Sequence, residues 1–511
     1  MDDGMHDDWG PFGRPLFEDA SARALSRVGV LDVGSNSVRL VVFNGAARSP
    51  AYFFNEKILC GLGAGLRETG RLNPEGRARA LAAIKRFKLL AEGMKLPPIS
   101  AVATAAVRDA EDGPEFCAEV EAATGIHLFV IDGTEEARLS AQGVLLGWPD
   151  AHGLMCDIGG SSMELAEIAN GEVGKRVSSG LGPLKLAGMK GGKKALKAHI
   201  KETVEALAEE VGGPHKRLYL VGGSWRAIAK LDMLRRGYPL WVLHEYRMTP
   251  KELGKTLDWI AKTDLEAARL ETSTSAARMA LVPVAALVLK RLIRTFRPKE
   301  IAISSYGIRE GLLYEQMPDR LRKRDPLIEA CRFSEQKDAR IPGFGKALYA
   351  FIQPLYKSAK EDRLRLVKAA CLLHDVSWRA HPDYRHEITF EAATRADLGG
   401  MTHQERVFLG MALLHRYKNS REDCRFEDVF EILPKSEQKK AEVLGKALRF
   451  GAMFAVNNPQ EKAHLTWRPK KRELHLTIRA AAADLFGEVA QARFDSLAQA
   501  LEATTVVKIK K

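Results

Sequence analysis

The chain has 511 residues, about three domains' worth at roughly 150 residues each, which excludes a single small module. Its 46% hydrophobic and 28% charged content excludes a wholly disordered or fibrous protein. Lys+Arg 78 against Asp+Glu 65 gives a net charge of +13, spread so evenly that residues 325–511 contribute 32 basic and 25 acidic side chains. No basic block marks a nucleic-acid arm; the surplus is either a solvated surface or a field that draws in an anionic substrate.

The first residues, MDDGMHDDWG, are acidic and lack a basic stretch followed by an apolar one, so residues 1–25 read as an acidic tail, no secretory signal is expected, and a cytoplasmic location follows. Between residues 26 and 320 short Val/Ile/Leu-rich strands alternate with longer helical stretches, the α/β pattern. Strand candidates are VGVLDV, ISAVATAA, HLFVID, LMCDIG, RLYLVGG and EIAISS. Asn73 before Pro74 has the chemistry of a helix start, and Leu81, Ile84, Phe87 and Leu90 recur on one face. The apolar run Met279 to Leu289 is interrupted by Pro283 and falls short of the ~18 residues that span a bilayer, so it predicts a buried helix and no membrane span. MPDRLRKRDP is the expected linker; beyond Asp325 the pattern turns amphipathic and helical, with a late hairpin in HLTWRPKKRELHLTIRA. Six cysteines without a CxxC pair argue against a disulfide framework or structural zinc.

One motif occurs twice. LDVGSNSVRL from Leu31 and CDIGGSSMEL from Cys156 align with a constant offset of 125 residues, each reading as strand, tight turn, strand. Exposed amides and hydroxyls at Ser35, Asn36 and Ser37, and at Gly159, Gly160, Ser161 and Ser162, would grip phosphate oxygens. With a two-residue tip, Asp157 lies opposite Glu164 across the ladder, where like charges repel unless a cation sits between them. Two carboxylates with water and phosphate suit Mg²⁺; the alternative is that Glu164 points into solvent. The same register sets Asp32 opposite Arg39, as an ion pair. Gly222, Gly223 and Ser224 open a helix after a strand, and Ser304, Ser305 and Gly307 repeat that arrangement, each a ready anion site or merely a close turn. Thr104 and Arg108 end another strand and would reach the same place.

Taken in order, LDVGSNSVRL, VATAAVRDA, DGTEEARLSAQG, CDIGGSSMEL, LVGGSWRAIA and SSYGIREGLLYE resemble the exopolyphosphatase and guanosine pentaphosphate phosphohydrolase family, a branch of the actin-like ATPase superfamily. The resemblance implies two ribonuclease H-like domains around a cleft, at residues 26–140 with a return segment near 306–320 and at 141–305, followed by a mostly α-helical HD-like domain over 325–511. It implies that Glu136, beside Glu135, is the catalytic base, and an ordinary Glu, with pKa about 4.3, is already ionised at neutral pH. It further implies Mg²⁺ on Asp157 and Glu164, Arg108 on the terminal phosphate, and a homodimer. LLHDVSW resembles the HD core dyad at His374 and Asp375, yet no His occurs between Cys331 and Leu373 where a first metal ligand would stand. The domain is therefore expected to lack its own metal chemistry, with His386, His403 and His415 as the residues of any rearranged site. The expected activity is removal of terminal orthophosphate from inorganic polyphosphate. Alternatives are hydrolysis of guanosine pentaphosphate, phosphotransfer to a nucleotide, and an actin-like or chaperone-like nucleotide-binding module.

Overall fold

A computed structural model describes Ala22, residues 25–45 and residues 48–510; apart from Ala22 and Leu25, the segment expected as an acidic tail lies outside the described residues. The chain divides after Arg324 into two compact units.

The first unit holds two sheets. Val28–Val33 (β1), Ser37–Asn44 (β2), Ala51–Leu59 (β3), Ser100–Ala103 (β4) and Phe129–Val130 (β5) are ordered β3-β2-β1-β4-β5. Gly153–Ile158 (β6), Met163–Ala169 (β7), Glu172–Ser179 (β8), Arg217–Val221 (β9), Arg247–Met248 (β10) and Glu300–Ser304 (β11) are ordered β10-β11-β9-β6-β7-β8. Read from its other end, the second sheet repeats the first: three antiparallel strands, then parallel partners on the far side of the opening strand, with β10 added at the edge. The repeat thus extends from one motif to a whole sheet.

Burial explains which strands announce themselves in sequence. β1, β2, β6 and β7 are largely buried and Val/Ile/Leu-rich. β3 and β8 are exposed edge strands; β8 carries Glu172, Lys175 and Arg176, charges that discourage pairing with another chain and interrupt the apolar signal, whereas β3 leaves Tyr52, Phe53 and Leu59 exposed.

Among the helices, Pro74–Gly93 (α1) starts as its sequence predicts, Asn73 Oδ1 accepting from the Gly76 amide at 2.8 Å and Ile84 and Phe87 facing the core. Gly133–Gly147 (α2) and Gly223–Arg236 (α3) follow. Val282–Phe296 (α4) is the buried helix of the apolar run, with Pro283 accommodated in its first turn. No helix among the described residues is long and apolar enough to cross a membrane.

Ile308–Glu315 (α5) packs on α2; α5 also meets β1, and α2 meets β7 and β8. This helix pair therefore ties the two sheets together. Glycine permits the approach, since a Cβ on Gly143 would stand 2.2 Å from the Gly307 carbonyl oxygen and one on Gly311 1.8 Å from that of Leu139.

The second unit packs Glu361–Leu373 (α6), His403–Tyr417 (α7), Lys435–Phe454 (α8) and Glu488–Ala500 (α9) with further helices. The expected late hairpin is Ala463–Arg468 (β12) with Glu473–Arg479 (β13), and Thr504–Lys510 (β14) adds a parallel strand on β13. All six cysteines are free, five of them buried.

Because the α2–α5 contact is backbone against backbone, neither side can yield. Gly143→Ala is expected to lower stability by about 1–3 kcal/mol, read as a reduced urea midpoint at unchanged m value. A midpoint equal to that of the parent would mean that the helices do not approach as described.

Candidate active site

The twin hairpins have equivalent local geometry. The Gly34 amide donates to the Ser37 carbonyl at 3.0 Å and the Gly159 amide to the Ser162 carbonyl at 3.0 Å, leaving Ser35–Asn36 and Gly160–Ser161 as two-residue tips. Each tip is braced by chain that follows its third strand: the Gly63 amide donates to Ser35 O at 2.8 Å, and the Leu184 amide to Gly160 O at 2.9 Å. The backbone at each tip is therefore held before any ligand arrives.

With that register, Asp157 pairs with Glu164 across the β6–β7 ladder. Glu164 is fully buried, which removes the alternative of a solvent-facing side chain. Its Oε1 accepts from Ser178 Oγ at 3.0 Å, while Oε2 has no hydrogen-bond partner. Burial, then the charge of Asp157, pushes its pKa up to about 8. Asp157 is raised too, by burial, although Ser140 Oγ donates to its Oδ2.

The first hairpin departs from its expected pairing. Asp32 does stand opposite Arg39, yet its carboxylate takes Arg309 Nη1 at 3.0 Å, and Arg39 Nε donates to Asn55 Oδ1 at 2.8 Å. Arg309 arrives on α5, so the ion pair spans 277 positions of sequence and links α5 to β1.

Glu136 lies in the first turn of α2, one helical turn before Ser140. Asp132 caps that helix by accepting from the Glu135 amide at 2.7 Å, and Glu135 itself is engaged by Arg138. Glu136 faces the acidic pair instead. Its Oε2 is buried without a hydrogen-bond partner, 4.0 Å from Arg108 Nη1. Burial first, then Glu164, Asp157 and Asp32, holds its pKa well above the ordinary carboxylate range. The expectation of an ordinary, already ionised Glu136 is thus corrected: the cluster it joins penalises another negative charge.

Basic groups surround this acidic centre. Arg108 is positioned by donating to Ile131 O at 3.1 Å, and Thr104, buried, is fixed beside β1 by its amide bond to Val33 O at 3.1 Å. Gly222, with φ 113°, brings the start of α3 against β6: a Cβ there would meet Ile158 O at 2.5 Å and Asp157 Oδ1 at 3.1 Å. Gly223 lies under the guanidinium of Arg278, whose Cζ is 2.9 Å from where its Cβ would be, and Ser224 is buried in the same turn. Arg226 is pushed down to about 10 by burial and then by Arg309 and Arg278. Lys57 is lowered by burial and by Arg278, Arg39, Arg309 and Arg226, so these five cations share one neighbourhood.

The second expected helix-start anion site is not available. The Gly307 amide is taken by Glu310 Oε2 at 2.7 Å, Ser304 Oγ bonds Tyr306 O at 2.7 Å, and the Ser305 amide bonds His244 Nδ1 at 3.3 Å. What α5 contributes is Arg309. Sequence reading missed Arg309, Arg278, Lys57, Ser140 and Ser178; Arg309 stands in the SSYGIREG motif, where only the glycines and serines signal an anion site.

Among the described residues no group of three or more His, Cys, Asp and Glu forms a metal cage. The unpartnered Oε2 of Glu164, across the ladder from Asp157, instead fits a hard cation that keeps its waters and completes its shell with substrate oxygens.

Two sheets of the same topology joined by a helix pair, with a braced hairpin opening each, define the actin-like fold, here followed by a helical C-terminal domain. The Ppx/GppA phosphatase family model matches residues 41–320, and the "Exopolyphosphatase, C-terminal" model matches residues 343–506; the chain belongs to the Ppx/GppA phosphatase family. It is 26% identical to retrograde regulation protein 2 of Saccharomyces cerevisiae, over 83% of this chain and 77% of that one. Identity to exopolyphosphatase 1 of Mycobacterium tuberculosis is 27%, over 57% and 88%. Identity to a guanosine-5'-triphosphate,3'-diphosphate pyrophosphatase of Aeromonas hydrophila is 24%, over 84% and 88%. Among solved structures, an exopolyphosphatase from Cytophaga hutchinsonii superposes with TM-score 0.52 at 22% identity, covering 56% of this chain and 96% of the other.

The raised carboxyl pKa values carry a stability consequence. Between its unfolded value of about 4.3 and its folded value of about 8, Glu164 holds more protons in the folded state, so stability falls as pH rises through that window. In metal-free buffer the unfolding temperature should fall from about pH 5 to about pH 8.5. Glu164→Gln should flatten the slope and gain on the order of a few kcal/mol over the parent at the alkaline end. An equally steep slope in the variant would refute the burial of that charge.

Proposed function

We propose that this phosphatase is an exopolyphosphatase, which cleaves the terminal orthophosphate from inorganic polyphosphate by in-line attack of water. The observation that carries this reading is Glu136 Oε2, buried without a hydrogen-bond partner beside Asp157 and Glu164. Burial and the neighbouring acids raise the affinity of this carboxyl for a proton, which suits a group that takes one from water.

In this reading the terminal phosphate lies between the two tips, held by the amides and hydroxyls of Ser35, Asn36 and Ser37 on one side and Gly160, Ser161 and Ser162 on the other. Mg²⁺ on Asp157 and Glu164 would neutralise the charge that spreads over the phosphoryl oxygens. Arg108 lies against Glu136 and steadies the same oxygens. Glu136 takes the proton as the water oxygen bonds phosphorus, the P–O–P bridge breaks, and the shortened chain leaves with the bridging oxygen. The five cations around Arg226 and Arg309 would receive the phosphates behind the terminal one.

A second reading, hydrolysis of guanosine pentaphosphate, is favoured by one observation: the Aeromonas hydrophila relative aligns over 84% of this chain. Phosphate release from long polyphosphate, short polyphosphate and guanosine pentaphosphate, measured side by side with and without Mg²⁺, separates the two by their kcat/KM.

Glu136→Gln is expected to reduce kcat by about 10² to 10⁴ with the unfolding transition preserved. Turnover near that of the parent would remove Glu136 from the mechanism. Arg309→Met should weaken substrate binding and also loosen α5 from Asp32, seen as a raised KM together with a lower unfolding temperature; neither change would mean that the Arg309–Asp32 bond contributes nothing.

A further inference from the structure

Each acid of the facing pair has one oxygen already taken by a serine, and neither serine belongs to the β6–β7 hairpin itself. Ser140 Oγ donates to Asp157 Oδ2, and Ser178 Oγ donates to Glu164 Oε1 at 3.0 Å. Ser178 stands directly across the β7–β8 ladder from Glu164, while Ser140 is completely buried on α2, one helical turn after Glu136. The oxygens left over are Glu164 Oε2, buried without a hydrogen-bond partner, and Asp157 Oδ1, on the side where Gly222 makes room.

Helix α2 governs both hydroxyls. It carries Ser140, and its first residue, Gly133, lies over Ser178: a Cβ there would stand 2.2 Å from Ser178 Oγ and 3.9 Å from Glu164 Oε1. Any side chain at position 133 would therefore push the Ser178 hydroxyl off its carboxylate. The helix packs on β6, β7 and β8 and is locked against α5 by Gly143 and Gly311, so it cannot shift to relax these bonds.

A hydroxyl bonded to a carboxylate oxygen makes a charge-assisted hydrogen bond, stronger than one between neutral groups. An acid with one oxygen held in this way has a single oxygen to offer a cation. That difference matters more to some ions than to others. Mg²⁺ demands near-ideal octahedral geometry, keeps several waters and takes single oxygens from one or two carboxylates. Ca²⁺ is larger, gathers more ligands and readily accepts both oxygens of one carboxylate.

We infer that Ser140 and Ser178 are positioning residues that make Asp157 and Glu164 one-oxygen ligands, and that they thereby bias the site towards Mg²⁺ and against Ca²⁺. The inference rests on the cation reading of the acid pair proposed above and adds to it what decides between two ions of equal charge. Through α2, the element that presents Glu136 also sets how the cation is held.

The test follows the unfolding temperature of the full-length protein, without substrate, against rising MgCl₂ and, separately, CaCl₂ at constant ionic strength. An ion that binds the folded state raises that temperature, so each titration gives a half-saturating concentration. In Ser140→Ala and in Ser178→Ala the ratio of the Ca²⁺ value to the Mg²⁺ value is expected to fall about 3- to 10-fold, because the freed oxygen lets the acid embrace the larger ion. The ratio is taken within one protein, so a general loss of stability in a variant does not enter it. Variants that unfold earlier in metal-free buffer but keep the parent's ratio would make the serines packing residues and overturn the inference. Glu164→Gln separates this failure from that of the underlying reading. A parent that responds to neither ion, or whose response survives Glu164→Gln, removes the cation from the acid pair and the inference with it. A parent response abolished by Glu164→Gln, with ratios unchanged in both serine variants, overturns the serine assignment alone.

Discussion

Four carboxyl groups that repel one another, Asp32, Glu136, Asp157 and Glu164, are held in one place by elements that cannot move apart. Asp157 and Glu164 are opposite members of a strand pair, so separating them would break the β6–β7 ladder. Glu136 is carried on α2, which glycine contacts hold against α5, and α5 in turn is tied to Asp32 through Arg309. The repulsion is therefore stored in a rigid frame, and it appears as carboxyl groups shifted above their ordinary range. Such shifts mark places arranged for proton transfer or cation binding.

The same frame explains why the fold contains its opening hairpin twice. A phosphate gripped from one side by two or three amides would still be exposed to water on the other. In the proposed reading, two braced tips, each built on its own sheet and joined by one helix pair, would let both sides of a small anion be met by backbone that is ordered in advance. The pairing is symmetrical in topology and not in chemistry: the second hairpin supplies two acids across its ladder, whereas the first supplies Asp32 and gives its opposite position to Arg39. One hairpin thus gathers acids, and the other sits among basic side chains.

Much of the fold was legible because its signals are local. Buried strands are apolar runs, Asn73–Pro74 is a helix start, and a repeated turn needs only ten residues to be recognised. The edge strand β8 was harder to see, since its solvent-facing charges interrupt the apolar pattern. Within the site, the Asp157–Glu164 facing pair followed from turn length and the two-residue period of a strand. The partner of Asp32 did not, because Arg39 and Arg309 are equally good cations and the nearer in sequence bonds Asn55 instead. The α5 start resembled the α3 start in its glycines and serines, but Glu310 and His244 occupy its amides, a matter of which side chains fold back on them.

From sequence by itself came the α/β class, the duplicated hairpin, the register that sets two acids face to face, and a helical region after Asp325; each depends on neighbours within a strand or a turn, where geometry is nearly independent of context. Only tertiary structure decided that Glu136 is a hard-to-ionise member of an acidic cluster, that Arg309 neutralises Asp32, and that Ser140 and Ser178 each take one oxygen of the facing acids. Charge interactions and the loss of water act through space, and the residues that set them here lie on different elements, up to 277 positions apart in the chain.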